Sequence, residues 1–374
     1  MASFERFQSR RPVVLVLLTA VVFLVLDNGI FRSGLYSRVL SPKSVAGHFA
    51  AVGRAHLQDH VSTEREVLVL GHSKIEAALS EKMFDEQKGG ANVKIVMGSS
   101  GGTTEKMWYF LLEHIDPDHR RFAAIVIPID TYQTPPVETD VENLIDVAQF
   151  VAPMLTTSDW RELVASYTQP KVRQQAILGA LVSSHLYALD VQDLLLHPLD
   201  RRADVKWTDE FGPTFLYKWD GFEGDLTSLV VDKEHAKVLS GPPQIEGFRK
   251  LEAEVRFHLL PAEFVGIWTE RYHAYRKNWF SRILALYRGS NTKIIFVQVP
   301  RWPFEMPALL PIDGAPDLRD FVKPSKNVVV VDGNEFTDLE KPEYFYDVLH
   351  VNKIARREFT TRFGARLRAE LDAH

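Results

Sequence analysis

The chain of 374 residues is 45% hydrophobic and 25% charged, ordinary values for a globular protein with a sizeable core, in one large domain or two modest ones. Its net charge of -5, with no basic stripe interleaved with aromatics, gives no support to nucleic-acid binding. The absence of cysteine excludes disulfides, thiolate catalysis and cysteine-based metal sites together.

Arg6, Arg10 and Arg11 precede Pro12 and an apolar run from Val13 to Leu26, interrupted only by Thr19. That run alone is short for a spanning helix, which wants about 20 apolar residues. Continued through Asp27, Asn28 and Gly29 to Ile30 and Phe31, it reaches the length. Asp27 then falls near the headgroups, where a charge costs less than at the bilayer centre. No small-x-small cleavage site follows, so an uncleaved anchor is expected rather than a removed signal peptide. Ser9-Arg10-Arg11 is followed by Pro-Val, a poor match to a twin-arginine signal. The basic residues before the run favour a cytoplasmic N-terminus with the remainder outside, against the opposing weight of Arg32, Arg38 and Lys43. The expected layout is a cytoplasmic tip and transmembrane anchor over 1–31, a juxtamembrane helical linker over 32–66, and a folded domain over 67–374. In the linker, residues 41–60 read as helical. His56 and His60 share one face there and, with no third ligand nearby, are expected to face solvent rather than bind a metal.

The folded part opens with Val67-Leu68-Val69-Leu70-Gly71-His72-Ser73-Lys74-Ile75-Glu76. An apolar strand that stops at a glycine and restarts as a helix leaves Ser73 at the carboxyl edge of a sheet, where open α/β sheets bind ligands. The adjoining helix N-terminus favours developing negative charge. A Gly-x-Ser pattern is short, and most such serines are helix N-caps. Ile75, Leu79 and Met83 recur every four residues, the stripe of a helix lying on a sheet. Val93 to Met97 is a second strand, ending at Gly98-Ser99-Ser100-Gly101-Gly102. Thr103 or Thr104 can cap a helix whose Met107, Phe110, Leu111 and His114 face one way. Phe122 to Ile129 is a third strand, leading to Asp130-Thr131-Tyr132.

From Thr134 to about Pro261 the simple alternation stops. Residues 160–196 read as helical. Trp207, Phe211, Phe215, Tyr217, Trp219 and Phe222 then cluster among Asp and Gly residues, as either a sugar-binding surface or a satellite core beneath a long loop. Residues 264–287 are expected as helix and 292–299 as strand. Arg301-Trp302-Pro303-Phe304 follows at the same sheet edge, where Arg301 can bind a substrate carboxylate or make a structural ion pair. Residues 327–331 form the last strand. Tyr344-Phe345-Tyr346-Asp347-Val348-Leu349-His350-Val351-Asn352 precedes a final helix striped by Ala355, Phe359, Phe363, Leu367 and Leu371. Asp347 and His350, three apart, can sit on one turn as base and orienting carboxylate and leave the imidazole free to reach a serine elsewhere. The bland alternative is a helix-capping Asp and a surface His. Strand and helix alternate throughout, which implies a parallel sheet covered by helices on both faces, a three-layer α/β/α domain.

Ser after the first strand, Gly after the second and Asp-x-x-His before the last helix resemble the SGNH (GDSL-like) hydrolase superfamily. The resemblance runs from Val67 to the C-terminus, apart from an insertion at about 134–261. With an N-terminal anchor, the chain is most similar to membrane-tethered members that move acyl groups on or off cell-surface polymers, such as the teichoic-acid D-alanylation and exopolysaccharide O-acetyltransferase proteins. The resemblance implies Ser73 as nucleophile, His350 as base and Asp347 as its orienting partner. It implies an oxyanion hole from the N–H groups of Ser73 and Gly98, with no metal or bound cofactor. Arg301 and Trp302 are candidate substrate contacts. The implied activity is an extracytoplasmic O-acyltransferase or esterase acting on acyl groups, expected to be acetyl, of a cell-surface polysaccharide. In the envelope, on the periplasmic side, the donor would be handed over by an integral-membrane acyltransferase. The alternative is a non-catalytic assembly or glycan-binding protein of a polysaccharide export system.

Two departures stand against the family pattern. The hydrolases' Gly-x-Asn-Asp turn, whose Asn donates to the oxyanion, is here Pro128-Ile129-Asp130-Thr131. His72 replaces the usual Asp before the serine. An α/β-hydrolase is disfavoured, because Ile75 stands where its elbow needs a glycine, and its Asp and His come from separate loops.

Overall fold

The computed structural model describes residues 11–58, 63–87, 92–129, 146–211, 219–232, 235, 237–243, 262–301, 303 and 322–372. His60, Asp130, Thr131, Tyr132, Phe215, Tyr217, Trp302 and Phe304 lie outside them.

The apolar runs picked out in the sequence become strands: β1 (Arg65–Val69), β2 (Val93–Met97) and β3 (Ala124–Ile129). A short antiparallel pair follows, β4 (Val230–Asp232) and β5 (Lys237–Ser240), and then β6 (Lys293–Gln298) and β7 (Val328–Val330). Five strands pair in parallel in the order β2-β1-β3-β6-β7. Val69 lies between Met97 on one side and Val126 on the other. β1, β2, β3 and β6 are buried along most of their length, which is why these strands read as continuous apolar runs rather than as alternating ones, while the edge strand β7 is half-buried. Val67, Val69, Val126 and Val297 share one cluster with Phe359 and Phe363. On the opposite face Phe296 meets Phe280 edge-on at 5.3 Å. The chain leaves β1 for β2 in one direction and reaches β3 in the other. The crevice beyond the carboxyl end of β1 is therefore the switch point of the sheet, where ligands bind in such folds.

The helices in chain order are α1 (Arg11–Phe31), α2 (Val45–Gln58), α3 (Ser73–Ala78), α4 (Glu81–Glu86), α5 (Glu105–Ile115), α6 (Asp146–Val151), α7 (Thr157–Ser166), α8 (Pro170–Leu181), α9 (Ala188–Leu196), α10 (Pro198–Phe211), α11 (Ala262–Leu286) and α12 (Lys353–Asp372). The stripe Ile75-Leu79-Met83 is split between α3 and α4. Ser80 starts a new helix there: its hydroxyl accepts from the Met83 N–H (3.3 Å), while its own N–H goes to Thr360 Oγ1 (3.0 Å). The stripe of α12 is buried as its spacing predicts, from Ala355 through Leu371.

The chain divides into two units, Met1–Ala51 with Glu142–Glu210, and Val52–Val141 with Phe211–His374. The insertion expected over 134–261 is thus shared between them. In the first unit α1 carries one stretch, Pro12–Phe31, long and apolar enough to cross a membrane. Phe31, Tyr36 and Tyr187 pack their rings together there, at 4.4 to 5.9 Å between centroids. In the second unit His56 corrects a sequence expectation. It is buried, with Nε2 3.0 Å from the Met97 carbonyl oxygen and its ring edge-on to Phe122. A helical face that looked polar is turned inward because a β2 carbonyl supplies the imidazole with a partner.

Candidate active site

Ser73 is the first residue of α3, and the turn before it is built by glycine. Gly71 sits at φ +138°, and a Cβ there would lie 2.4 Å from Ile75 Cγ2 and 2.6 Å from Pro128 Cγ. Only glycine fits both the dihedral and the space. His72, to which no role was assigned from sequence, is the N-cap of α3: its Nδ1 accepts from the Lys74 N–H at 3.3 Å and its ring stacks on Trp108. As the first helical residue, Ser73 has an N–H with no carbonyl partner in its own helix.

The loop after β2 is stitched to this turn. The Ser100 N–H (3.0 Å) and Thr103 Oγ1 (2.8 Å) both donate to the Gly71 carbonyl. This brings Gly101 against the serine, where a Cβ would lie 3.9 Å from Ser73 Cβ. Among the described residues the Gly101 N–H makes no hydrogen bond.

The histidine arrives from the other end of the chain. Between Tyr344 and Asn352 the backbone folds back on itself: the Asn352 N–H donates to the Tyr344 carbonyl (2.8 Å) and the Tyr346 N–H to the His350 carbonyl (2.9 Å). Asn352 fixes this loop. Its Nδ2 donates to the carbonyls of Gly224 (3.0 Å) and Glu343 (2.8 Å). Its Oδ1 accepts from the N–H groups of Ile354 (3.0 Å) and Ala355 (3.2 Å), capping α12. His350 Nε2 then lies 2.8 Å from Ser73 Oγ, and His350 Nδ1 lies 3.0 and 2.9 Å from the two Asp347 oxygens.

Burial pushes the Asp347 carboxyl up. The hydrogen bond and charge of His350, with the N–H groups of Leu349 and His350, outweigh it and hold its pKa below the usual carboxylate value. An ionised carboxylate only accepts, so Nδ1 is the donor and carries the proton. In the neutral ring Nε2 is then the acceptor, facing the Ser73 hydroxyl. A serine hydroxyl, a base within hydrogen-bond reach and a carboxylate behind the base are the parts required to activate an oxygen nucleophile.

No family model matches the chain, and no curated protein matches it.

The other expected site residues fare differently. The Gly98 N–H donates to the Val69 carbonyl at 2.8 Å, continuing the ladder between β1 and β2, and is not free to face an oxyanion. Its lack of a side chain serves packing instead: a Cβ would lie 2.8 Å from Leu68 Cδ1. Arg301 is 4% exposed and bidentate to Glu340, with Nε to Oε1 and Nη2 to Oε2 both at 2.6 Å. It is a structural ion pair rather than a substrate contact, and Trp302 lies outside the described residues. Of the insert aromatics, Phe222 stacks on Tyr346 at 4.5 Å and stands 5.7 Å from the His350 ring. The guanidinium of Arg356 lies 4.6 Å from the Trp219 ring. These two rings are half-buried and pack beside the His350 loop, whereas Trp207 of the same cluster is 49% exposed. Among the described residues no cluster of three metal-ligating side chains occurs.

Two further residues escaped the sequence reading. Glu76, one turn beyond Ser73, accepts from Ser99 Oγ at 3.2 Å. Burial raises its pKa to about 7, against the opposing hydrogen bond from Ser99 and the charges of His350 and Arg356. Arg356 of α12 donates to the carbonyls of Glu76 and Ala77, tying the last helix to the one that carries the serine. Burial lowers its own pKa to about 10. Neither residue had a signal in spacing, since each matters only because α3 and α12 pack together.

Proposed function

We propose that this chain is an SGNH-like serine enzyme that transfers or hydrolyses an ester-linked acyl group. The observation that carries the reading is the 2.8 Å contact of Ser73 Oγ with His350 Nε2, with Asp347 behind the ring. His350 takes the serine proton as Ser73 Oγ attacks the acyl carbonyl, Asp347 stabilises the imidazolium, and the leaving alcohol receives the proton. Water or a sugar hydroxyl then attacks the acyl-enzyme by the reverse route. The developing oxyanion is assigned to the Ser73 N–H and to the Gly101 N–H, in place of Gly98.

The wider reading rests on the resemblance. The parallel sheet belongs to a three-layer α/β/α domain of the superfamily, and α1 is a single-pass anchor with the catalytic domain on the extracytoplasmic side. The substrate is an O-acylated, expected to be O-acetylated, cell-surface polysaccharide, and the donor comes from an integral-membrane acyltransferase. The non-catalytic assembly reading draws support from the absent Asn donor, but it gives no reason for Ser73, His350 and Asp347 to be aligned.

Full-length protein in detergent, treated with p-nitrophenyl acetate and a fluorophosphonate probe, separates the two readings. Ser73-dependent release and a probe adduct on Ser73 are expected. Ser73→Ala and His350→Ala each lower turnover by on the order of a thousandfold or more with the fold intact. Well-folded wild type that neither turns over nor labels refutes the enzyme reading.

A further inference from the structure

The first unit exposes an apolar surface that its own fold does not use. Leu181, Leu189, Leu195, Leu196 and Leu199 are between 59% and 82% exposed. Single exposed leucines need no explanation, but five within residues 181–199, at the end of α8, along α9 and at the start of α10, form a surface that wants a partner.

Hydrogen bonds within the unit fix where this surface lies. The Asp27 carboxylate accepts from the N–H groups of Ser183 (2.6 Å) and Ser184 (3.0 Å). Asn28 Nδ2 donates to the Leu181 carbonyl (3.4 Å), and Arg32 Nε to Ser183 Oγ (3.0 Å). The turn after α8 is thus clamped to the last turns of α1, next to that helix's bare residues Val13 to Leu26. Asp190, at the start of α9, accepts from the Tyr36 hydroxyl (2.6 Å) and the Ser41 N–H (3.1 Å), which holds α9 beside the segment leaving α1. The polar groups at the end of α1 are therefore satisfied by protein, as a polar group near hydrocarbon must be. The charged groups between the leucines have partners within the unit: Arg201 meets both Asp193 at 2.5 Å and Asp190 at 3.0 Å, and Asp193 also meets His197 at 3.1 Å.

We infer that the leucine surface of residues 181–199 lies in the lipid of the bilayer that α1 crosses, so that α8 and α9 form a second, monotopic contact with the membrane. The occupant is lipid rather than protein because the turn at one end of this stretch, residues 181–184, is hydrogen-bonded to the end of α1, the helix whose residues 13–26 are bare. The inference rests on the anchor reading of α1 and is independent of the catalytic one.

The absence of native cysteine allows a test on the full chain. Single-cysteine variants Val22→Cys, Leu189→Cys, Leu196→Cys and Lys171→Cys, all at exposed positions, are spin-labelled and reconstituted in phosphatidylcholine nanodiscs. Collision with oxygen reports lipid, and collision with a nickel chelate reports water. Labels at 189 and 196 are expected to follow the label at 22, with loss of chelate collisions, while the label at 171 collides freely with the chelate. Chelate-accessible labels at 189 and 196 beside a protected label at 22 overturn the inference and leave the anchor standing. Labels there that are immobile and shielded from both agents overturn it in favour of a protein partner or a second copy. A chelate-accessible label at 22 overturns the anchor reading, and this inference with it.

Discussion

The turn that carries Ser73 depends on the space left by a glycine, whereas the loop that carries His350 and Asp347 depends on the hydrogen bonds of one amide side chain. At Gly71 two neighbouring side chains leave no room for a Cβ, and the backbone takes a dihedral open to glycine alone. At Asn352 one amide side chain satisfies two carbonyls and caps a helix, and the loop takes its shape from those bonds. The difference suits the roles. The nucleophile's oxygen is placed by a tightly packed backbone turn, while the base stands on a loop whose own hydrogen bonds set its tautomer. The two constructions should therefore fail in different ways.

The largest effect is expected at the packed turn. Gly71→Ala meets both the forbidden dihedral and a contact of 2.4 Å, and should lower stability by about 4 kcal/mol, combining backbone strain with overpacking. Denaturant unfolding reads it, and a loss below about 1 kcal/mol would mean that the turn yields. Asn352→Ala should cost about 2–4 kcal/mol, from a lost cap and two carbonyls left without their donor. It should also lower both ester turnover and fluorophosphonate labelling of Ser73, because each needs the base in place. Equal stability losses with no effect on activity would break the contrast between the two loops.

A finer contrast lies within the loop after β2. Gly98→Ala should cost about 1–2 kcal/mol through overpacking against Leu68, with turnover unchanged for the folded fraction. Gly101→Ala meets only an ordinary contact at 3.9 Å and should leave stability within about 0.5 kcal/mol. Its added methyl stands beside Ser73 and should reduce turnover most for bulky acyl groups. Unchanged turnover of bulky esters in Gly101→Ala would mean that Gly101 does not border the acyl group.

Much of this arrangement was legible in the sequence, where local signals carry it. The strands β1, β2, β3 and β6 were visible because sheets covered on both faces write continuous apolar runs, and α12 was visible because its stripe repeats every four residues. Ser73, Asp347 and His350 are each weak signals singly, and they pointed to one site only taken together, through the family pattern they resemble. Gly98 was expected at the oxyanion from the family pattern of a glycine after the second strand, yet its N–H still bonds to Val69. Arg301 was open between two roles until Glu340 came to lie beside it, and no spacing announces a partner 39 residues away. The attachment of residues 142–210 to the N-terminal unit was hidden for the same reason, since it rests on pairs such as Asp27 with Ser183.

The smallest expected effect concerns Glu76, which sits between the two constructions, on the serine's helix and within the field of His350. Its folded pKa of about 7 lies above the ordinary value of 4.5, so the folded state keeps a proton that the unfolded chain has released. That contribution is fully present below pH 4.5 and is lost as the pH rises to about 7, at up to about 1.4 kcal/mol per pH unit for this one group. Glu81, raised to about 7 by burial, adds a slope of the same sign. Wild-type stability should therefore fall between pH 5 and 7, and Glu76→Gln should fall less steeply, becoming relatively more stable at the alkaline end. The comparison is between the two slopes, because histidines and other carboxylates titrate in both proteins. Unfolding curves at pH 5, 6, 7 and 8 provide it. Parallel slopes would mean that Glu76 is ionised in the folded protein across the whole range, held so by Arg356.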